Sequence, residues 1–224
     1  MAATVWLLYM AFEPYVRRKS PGMLISWSRL LGGRLRDPLL GKDLLVGVAL
    51  GVAAVFISAL ARLAAPLAET NLPPILATQL TASPARSLGI WLDMAMASAG
   101  GGLSFVFVWV LLRLVLRRWW LAAIGLVLVN LATLGPGPGP AFALRAAASA
   151  VVTLLMVYAV TRFGVVTISA FTFVWTLLDH FPLTADLSAW YAPTALIVML
   201  SVLAIAVYGF HSTLAGRPLW REEP

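Results

Sequence analysis

The chain of 224 residues contains no cysteine, only two histidines, and charged residues at just 11% of positions. Without cysteine there can be no disulfide, no thiolate metal ligand and no Cys nucleophile, and the redox compartment stays open. Charge this sparse falls well below the roughly one quarter of a soluble domain. Catalytic signatures are missing too: no GxGxxG, no Walker lysine, no HExxH and no GxSxG occurs. Ser104, Ser149 and Ser169 stand without a base beside them in the sequence. Neither catalysis nor a cofactor is expected from these residues.

Apolar residues fill the space that charge leaves. They make up 61% of the chain, mean hydropathy is +0.92, and they come in long runs. A bilayer core of about 30 Å calls for about 20 such residues in a helix. Six runs approach that length, at 44–66, 88–112, 119–135, 142–162, 164–180 and 189–210. Helix breakers separate them: "NLPP", "LRRWW", "GPGPGP", "RFG" and "HFPLTADLS". A shorter run at 1–16 reads as the closing half of a further span, or as a short tilted one. The expected fold is all-α: six to seven transmembrane helices with an amphipathic helix on the cytoplasmic surface. Four parts follow: a partial span at 1–16, a basic segment at 17–43, a six-helix domain at 44–210 and a tail at 211–224.

Net charge is +7, which in a soluble protein would point to nucleic acid. The positions of the charges argue otherwise. If 17–43 lies inside, alternating spans place thirteen of the sixteen basic residues on that side, in 17–42, 113–118, 162 and 217–221. Glu69, Asp179 and Asp186 fall opposite, with Arg86, Arg62 and Arg145. The positive-inside rule describes such asymmetry. Arg62 and Arg145 sit near outer helix ends, where long side chains snorkel.

The stretch "EPYVRRKSPGMLISWSRLLGGRLRDPLLGKD", from Glu13 to Asp43, holds seven of the basic residues yet keeps a helical apolar stripe at Met23, Leu24, Trp27, Leu30, Leu31 and Leu35. It predicts a helix lying in the headgroup layer. Trp27 would be buried there, while Arg17, Arg18, Lys19, Arg29, Arg34 and Arg36 meet the anionic lipid of the inner leaflet. A break is expected at Gly32 and Gly33. An ordinary basic loop is the competing reading. Nucleic acid is not expected as a partner, since the stripe would then face water.

Other motifs are few. Gly47 and Gly51 form a small-xxx-small pair that lets another helix approach closely, within the chain or in a homo-oligomer. Gly100, Gly101 and Gly102 mark either close packing or a hinge in a discontinuous helix. Asp93 is an acid inside a span or in the headgroup region beside it, with Arg145 as its candidate intramembrane partner. Asp179 and His180 read as a solvated helix cap, too few for a metal site. "GPGPGP" lacks the N–H donors of a phosphate loop, and Trp190 and Tyr191 read as interfacial anchors.

Two blocks carry a family resemblance. "YMAFEPYVRRKSPGMLISWSRLLGGRLRDPLLGKDLLVG" and "FPLTADLSAWYAPTALIVMLSVLAIAVYGFHSTLAGRPLW", about 80 residues together, resemble the C-terminal membrane region of bacterial eukaryotic-like serine/threonine protein kinases. Between them only the span pattern agrees. The resemblance implies a multi-pass module of the bacterial inner membrane with a cytoplasmic C-terminus, associated with a kinase domain in cis or in trans. The chain itself has no Gly-rich nucleotide loop, HRD or DFG, so no catalytic residue carries over. The expected function is a non-catalytic membrane anchor or sensor. The alternative is a small transporter or channel whose polar path involves Asp93, Arg145 and the Gly100–Gly102 break.

Overall fold

The computed structural model describes residues 23, 25–64, 84–134, 139–181, 188 and 192–214. They form seven helices: α1 (Ile25–Leu31), α2 (Pro38–Ala64), α3 (Pro84–Leu116), α4 (Trp119–Thr133), α5 (Gly139–Arg162), α6 (Val165–His180) and α7 (Ala192–Thr213). No strand occurs among the described residues, and the all-α expectation holds. The partial span at 1–16, the basic residues Arg17, Arg18 and Lys19, and Trp190 and Tyr191 lie outside the described residues.

Hydrophobic runs locate the six longer helices well, but their ends obey local chemistry. The run at 44–66 becomes a helix that begins six residues earlier. Asp37 accepts a hydrogen bond from the Leu39 backbone N–H at 2.9 Å, and Pro38 follows in the first helical position. Asp before Pro is a strong helix start, because the carboxylate satisfies an orphan N–H and proline has none to lose. At the other end of α3, Arg117 takes a positive φ of 56°. A hairpin turn of two residues then leads into α4.

Four helices are long and apolar enough to cross a membrane: Pro38–Ala64, Gly89–Leu116, Phe142–Arg162 and Ala192–Thr213. The other two, α4 and α6, have 15 and 16 residues, about 22 and 24 Å at 1.5 Å per residue. The short length of α6 has a structural reason. Nine of its residues are buried, including Ile168, Phe171 and Val174, so protein surrounds it where lipid surrounds its neighbours. A helix apolar on all sides belongs in such a position. Its threonines keep the interior hydrogen-bonded: Thr172 donates to Ile168 O at 3.0 Å, Thr167 to Asp43 O at 3.1 Å. The bundle's outer surface is the reverse of a soluble protein's, with Phe56, Leu63, Val115, Leu128 and Leu203 all exposed. Apolar exposure on this scale marks a surface that meets lipid.

Small residues draw the helices together, as expected where lipid offers no hydrophobic gain for association. A Cβ on Gly47 would lie 2.6 Å from that of Ala170, and one on Gly51 2.9 Å from that of Val174. One on Gly102 would lie 2.7 Å from Ser169 Oγ. The pair Gly47 and Gly51 therefore packs as its spacing predicts, with α6 as its partner. Around Gly100–Gly102 the helix is continuous, so the hinge alternative fails. Gly102 is a close-packing site, while Gly101 faces open space.

The same contacts give the helix directions. Asp43 meets Thr167, Gly47 meets Ala170, Gly51 meets Val174 and Arg62 meets Asp179, so α2 and α6 run parallel. Ser98 O accepts from Thr172, and Gly102 lies on Ser169, so α3 runs opposite to α6. Gly41 crosses Gly209, which sets α7 antiparallel to α2. One end of the bundle thus gathers Arg29, Arg34, Arg36, Lys42, Arg113, Arg117, Arg118 and Arg162. The far end holds Arg62, Arg145 and Asp179.

Candidate functional site

Two regions of the bundle carry polar chemistry, one at each end. At the basic end, residue 23 and residues 25–43 fold back onto the helices. The helix α1 has seven residues and stops at Gly32–Gly33, where Gly33 has φ of 72°, as the two glycines lead one to expect. Its apolar stripe, however, does not lie along one lipid-facing side. Met23 is buried and Trp27 packs against the bundle's core, whereas Leu31 is 63% exposed and Leu35 51%. The anticipated membrane-surface role of Trp27 is thereby corrected: protein, not lipid, covers most of this side chain. The reason is the α5–α6 junction. Gly164 has φ of 102°, and its missing Cβ leaves room for the Met23 backbone.

A buried acid locks this arrangement. Asp43 is 4% exposed and accepts a hydrogen bond from the Ser26 hydroxyl, while its backbone carbonyl takes the one from Thr167. Three elements meet there: α1, α2 and α6. Outside the apolar region, Arg29 holds both oxygens of Asp37, at 2.9 and 2.7 Å. Burial works against the charged form of Asp37, but the Leu39 N–H and the Arg29 guanidinium outweigh it and hold its pKa below the usual carboxylate value. Tyr208 on α7 donates to Leu35 O at 2.5 Å, and Lys42 sits 5.8 Å from the centre of the Phe163 ring. Arg34 and Arg36 remain exposed, available to an anionic surface.

At the far end, Arg62 and Asp179 form an ion pair of 2.7 Å between α2 and α6. They line a cavity of about 270 Å³ together with Arg145, Asn130, Thr133 and Ser149. To the reading of Asp179 and His180 as a solvated cap the structure adds this part-exposed pairing, since the parallel course of α2 and α6 brings Arg62 to Asp179. Arg145 is exposed and makes no ion pair among the described residues. Asp93 is also exposed and lines neither this cavity nor the adjoining one, so Arg145 shares a cavity lining with Arg62 and Asp179 and not with its expected partner. The adjoining cavity, about 370 Å³, runs toward the middle of the bundle between Ser98, Phe105, Val108, Leu126 and Thr172. Both are lined by Asn130, Thr133, Met156 and Trp175.

Sequence reasoning missed Asp43 and the Arg62–Asp179 pair. Asp43 carried a signal, an acid at the start of a greasy run, but one acid beside Lys42 does not reveal its burial. The pair had a weaker one, opposite charges at helix ends assigned to the same side. Among the described residues no three His, Asp or Glu side chains converge as metal ligands would. No protein family, curated protein or solved structure matches the chain. The fold and the geometry therefore carry the functional reading.

Proposed function

We propose that this all-helical membrane protein is a non-catalytic module. It anchors a cytoplasmic partner, of the serine/threonine kinase kind that its terminal blocks resemble, and passes changes in helix packing to it. The observation that carries this reading is the docking of residue 23 and residues 25–43. Met23 against Gly164 and Ser26 on Asp43 make the stretch before α2 a part of the bundle. A loop that served only to fix orientation would need no such contacts. A shift of α2 against α6 must therefore move Ser26 and Trp27, and with them whatever precedes them. The basic end faces the cytoplasm in this reading, following the positive-inside rule.

The module purified from its native membrane in mild detergent should bring kinase activity with it, in the same polypeptide or in a held partner. Asp43→Ala should then alter autophosphorylation without removing the kinase. Native preparations that contain the module and no kinase activity overturn the proposal. A transport role is the second reading, favoured by the two adjoining cavities. Its polar groups would be Arg62, Arg145 and Asp179, with Asp93 outside the path. Solute flux in proteoliposomes that Arg145→Gln abolishes would support it, and absence of any flux removes it.

A further inference from the structure

We infer that the far-end cavities form a binding site for an amphiphilic anion. Its carboxylate or phosphate head sits between Arg62 and Arg145, and its alkyl chain enters the adjoining cavity. The inference goes beyond the anchoring role and does not depend on it, because it concerns the opposite end of the bundle.

Charge makes the first argument. Among the described residues two guanidinium groups and one carboxylate line the outer cavity, an excess of one positive charge among them. Arg62 spends one contact on a single oxygen of Asp179, leaving further N–H donors of its fork unused. Arg145 spends none on an acid among the described residues. Arginine at the membrane interface with no acidic partner is suited to a carboxylate or phosphate, whose oxygens match its planar donors. Ionisable residues retained near or within spans mark ligand sites more often than structural ones.

Polar lining makes the second. Asn130 and Thr133 line both cavities, so an amide and a hydroxyl are shared where the two adjoin.

Shape makes the third. The outer cavity is small, near the lower limit for a drug-sized molecule, and suits a head group alone. The inner one is walled by Phe105, Val108 and Leu126 among hydroxyls. From Asp179 to Thr172 along α6 is seven residues, about 10 Å of descent toward the bundle's middle. A molecule with one charged end and one apolar end follows that gradient; a compact hydrophilic anion fills only the entrance.

Two sources provide this chemistry, a bilayer phospholipid and a free long-chain acid, and separate probes distinguish them. The intact protein in a non-ionic detergent is titrated with dodecanoate, and the protein in phosphatidylcholine nanodiscs with increasing phosphatidylglycerol, with thermal stability and Trp fluorescence as readouts. Saturable binding of either is expected, the one that binds naming the source. Arg145→Gln, at an exposed residue without an ion-pair partner among the described residues, should weaken it about tenfold or more. Asp179→Asn should strengthen it, since it frees Arg62 and removes the local negative charge. The proposal is overturned if neither probe saturates, if dodecanol or inorganic phosphate binds as tightly as dodecanoate, or if Arg145→Gln binds as the parent does. No kinase is needed in the assay, so its failure is separable from failure of the anchoring role.

Discussion

The two ends of the bundle handle polar groups in opposite ways. At the basic end backbone presses on backbone: Gly164 against Met23, Gly41 against Gly209, and an acid buried under a serine hydroxyl. At the far end the helices splay around cavities, and an ion pair sits half in the open. Packing of the first kind leaves no room for an added methyl group; cavities of the second kind do.

The sharpest way to break the contrast is to add the same methyl group at both places. Gly164→Ala puts a Cβ at a positive φ and into the Met23 backbone, and should cost about 2–4 kcal/mol. Gly101→Ala adds it in open space within a helix and should be neutral or stabilising by about 0.5–1 kcal/mol. Thermal unfolding in detergent reads both, and equal effects would contradict the geometry. Next comes the buried acid. Asp43→Ala leaves the Ser26 hydroxyl without its acceptor, at about 1–3 kcal/mol. In this thiol-free chain, Met23→Cys should react slowly with a maleimide and Leu31→Cys quickly, and Asp43→Ala should narrow that gap.

Smaller effects sharpen the picture. A double-mutant cycle on Arg62 and Asp179 should return only about 0.2–1 kcal/mol, falling with added salt, because half of the Arg62 side chain is exposed. Asp37 supplies the pH test. Its folded pKa lies below the usual value of 3.8, so its contribution is complete above the unfolded pKa. It declines as pH falls through the folded one. Melting curves from pH 6 downward should show a decline that Arg29→Ala makes smaller; a loss on the alkaline side would contradict the assignment.

The spans were legible because lipid imposes a single strong requirement, apolar length, which the runs at 44–66 and 142–162 display openly. Glycine spacing at Gly47 and Gly51 announced close approach but could not name α6, since partner choice depends on how six helices are arranged. The start of α2 at Pro38 was readable from Asp37–Pro38 alone, yet hydropathy concealed it behind Lys42 and Asp43. What could not be read were relations across the chain. Asp179 is 117 positions from Arg62, and the stripe through Trp27 has the same periodicity whether lipid or protein covers it.

The brevity of α4 has a consequence for the surrounding bilayer. Unlike α6 it stands at the rim, with Ile124, Leu128 and Val129 exposed, and at about 22 Å it falls short of a hydrocarbon core of about 30 Å. Beside α2, with its 27 residues, the lipid needs no such adjustment. Where α4 meets lipid, the acyl chains must therefore thin, at a cost of a fraction of a kcal/mol per Å of mismatch. The lipid collar differs between α4 and α2, and membrane thickness bears on the protein at the shorter helix.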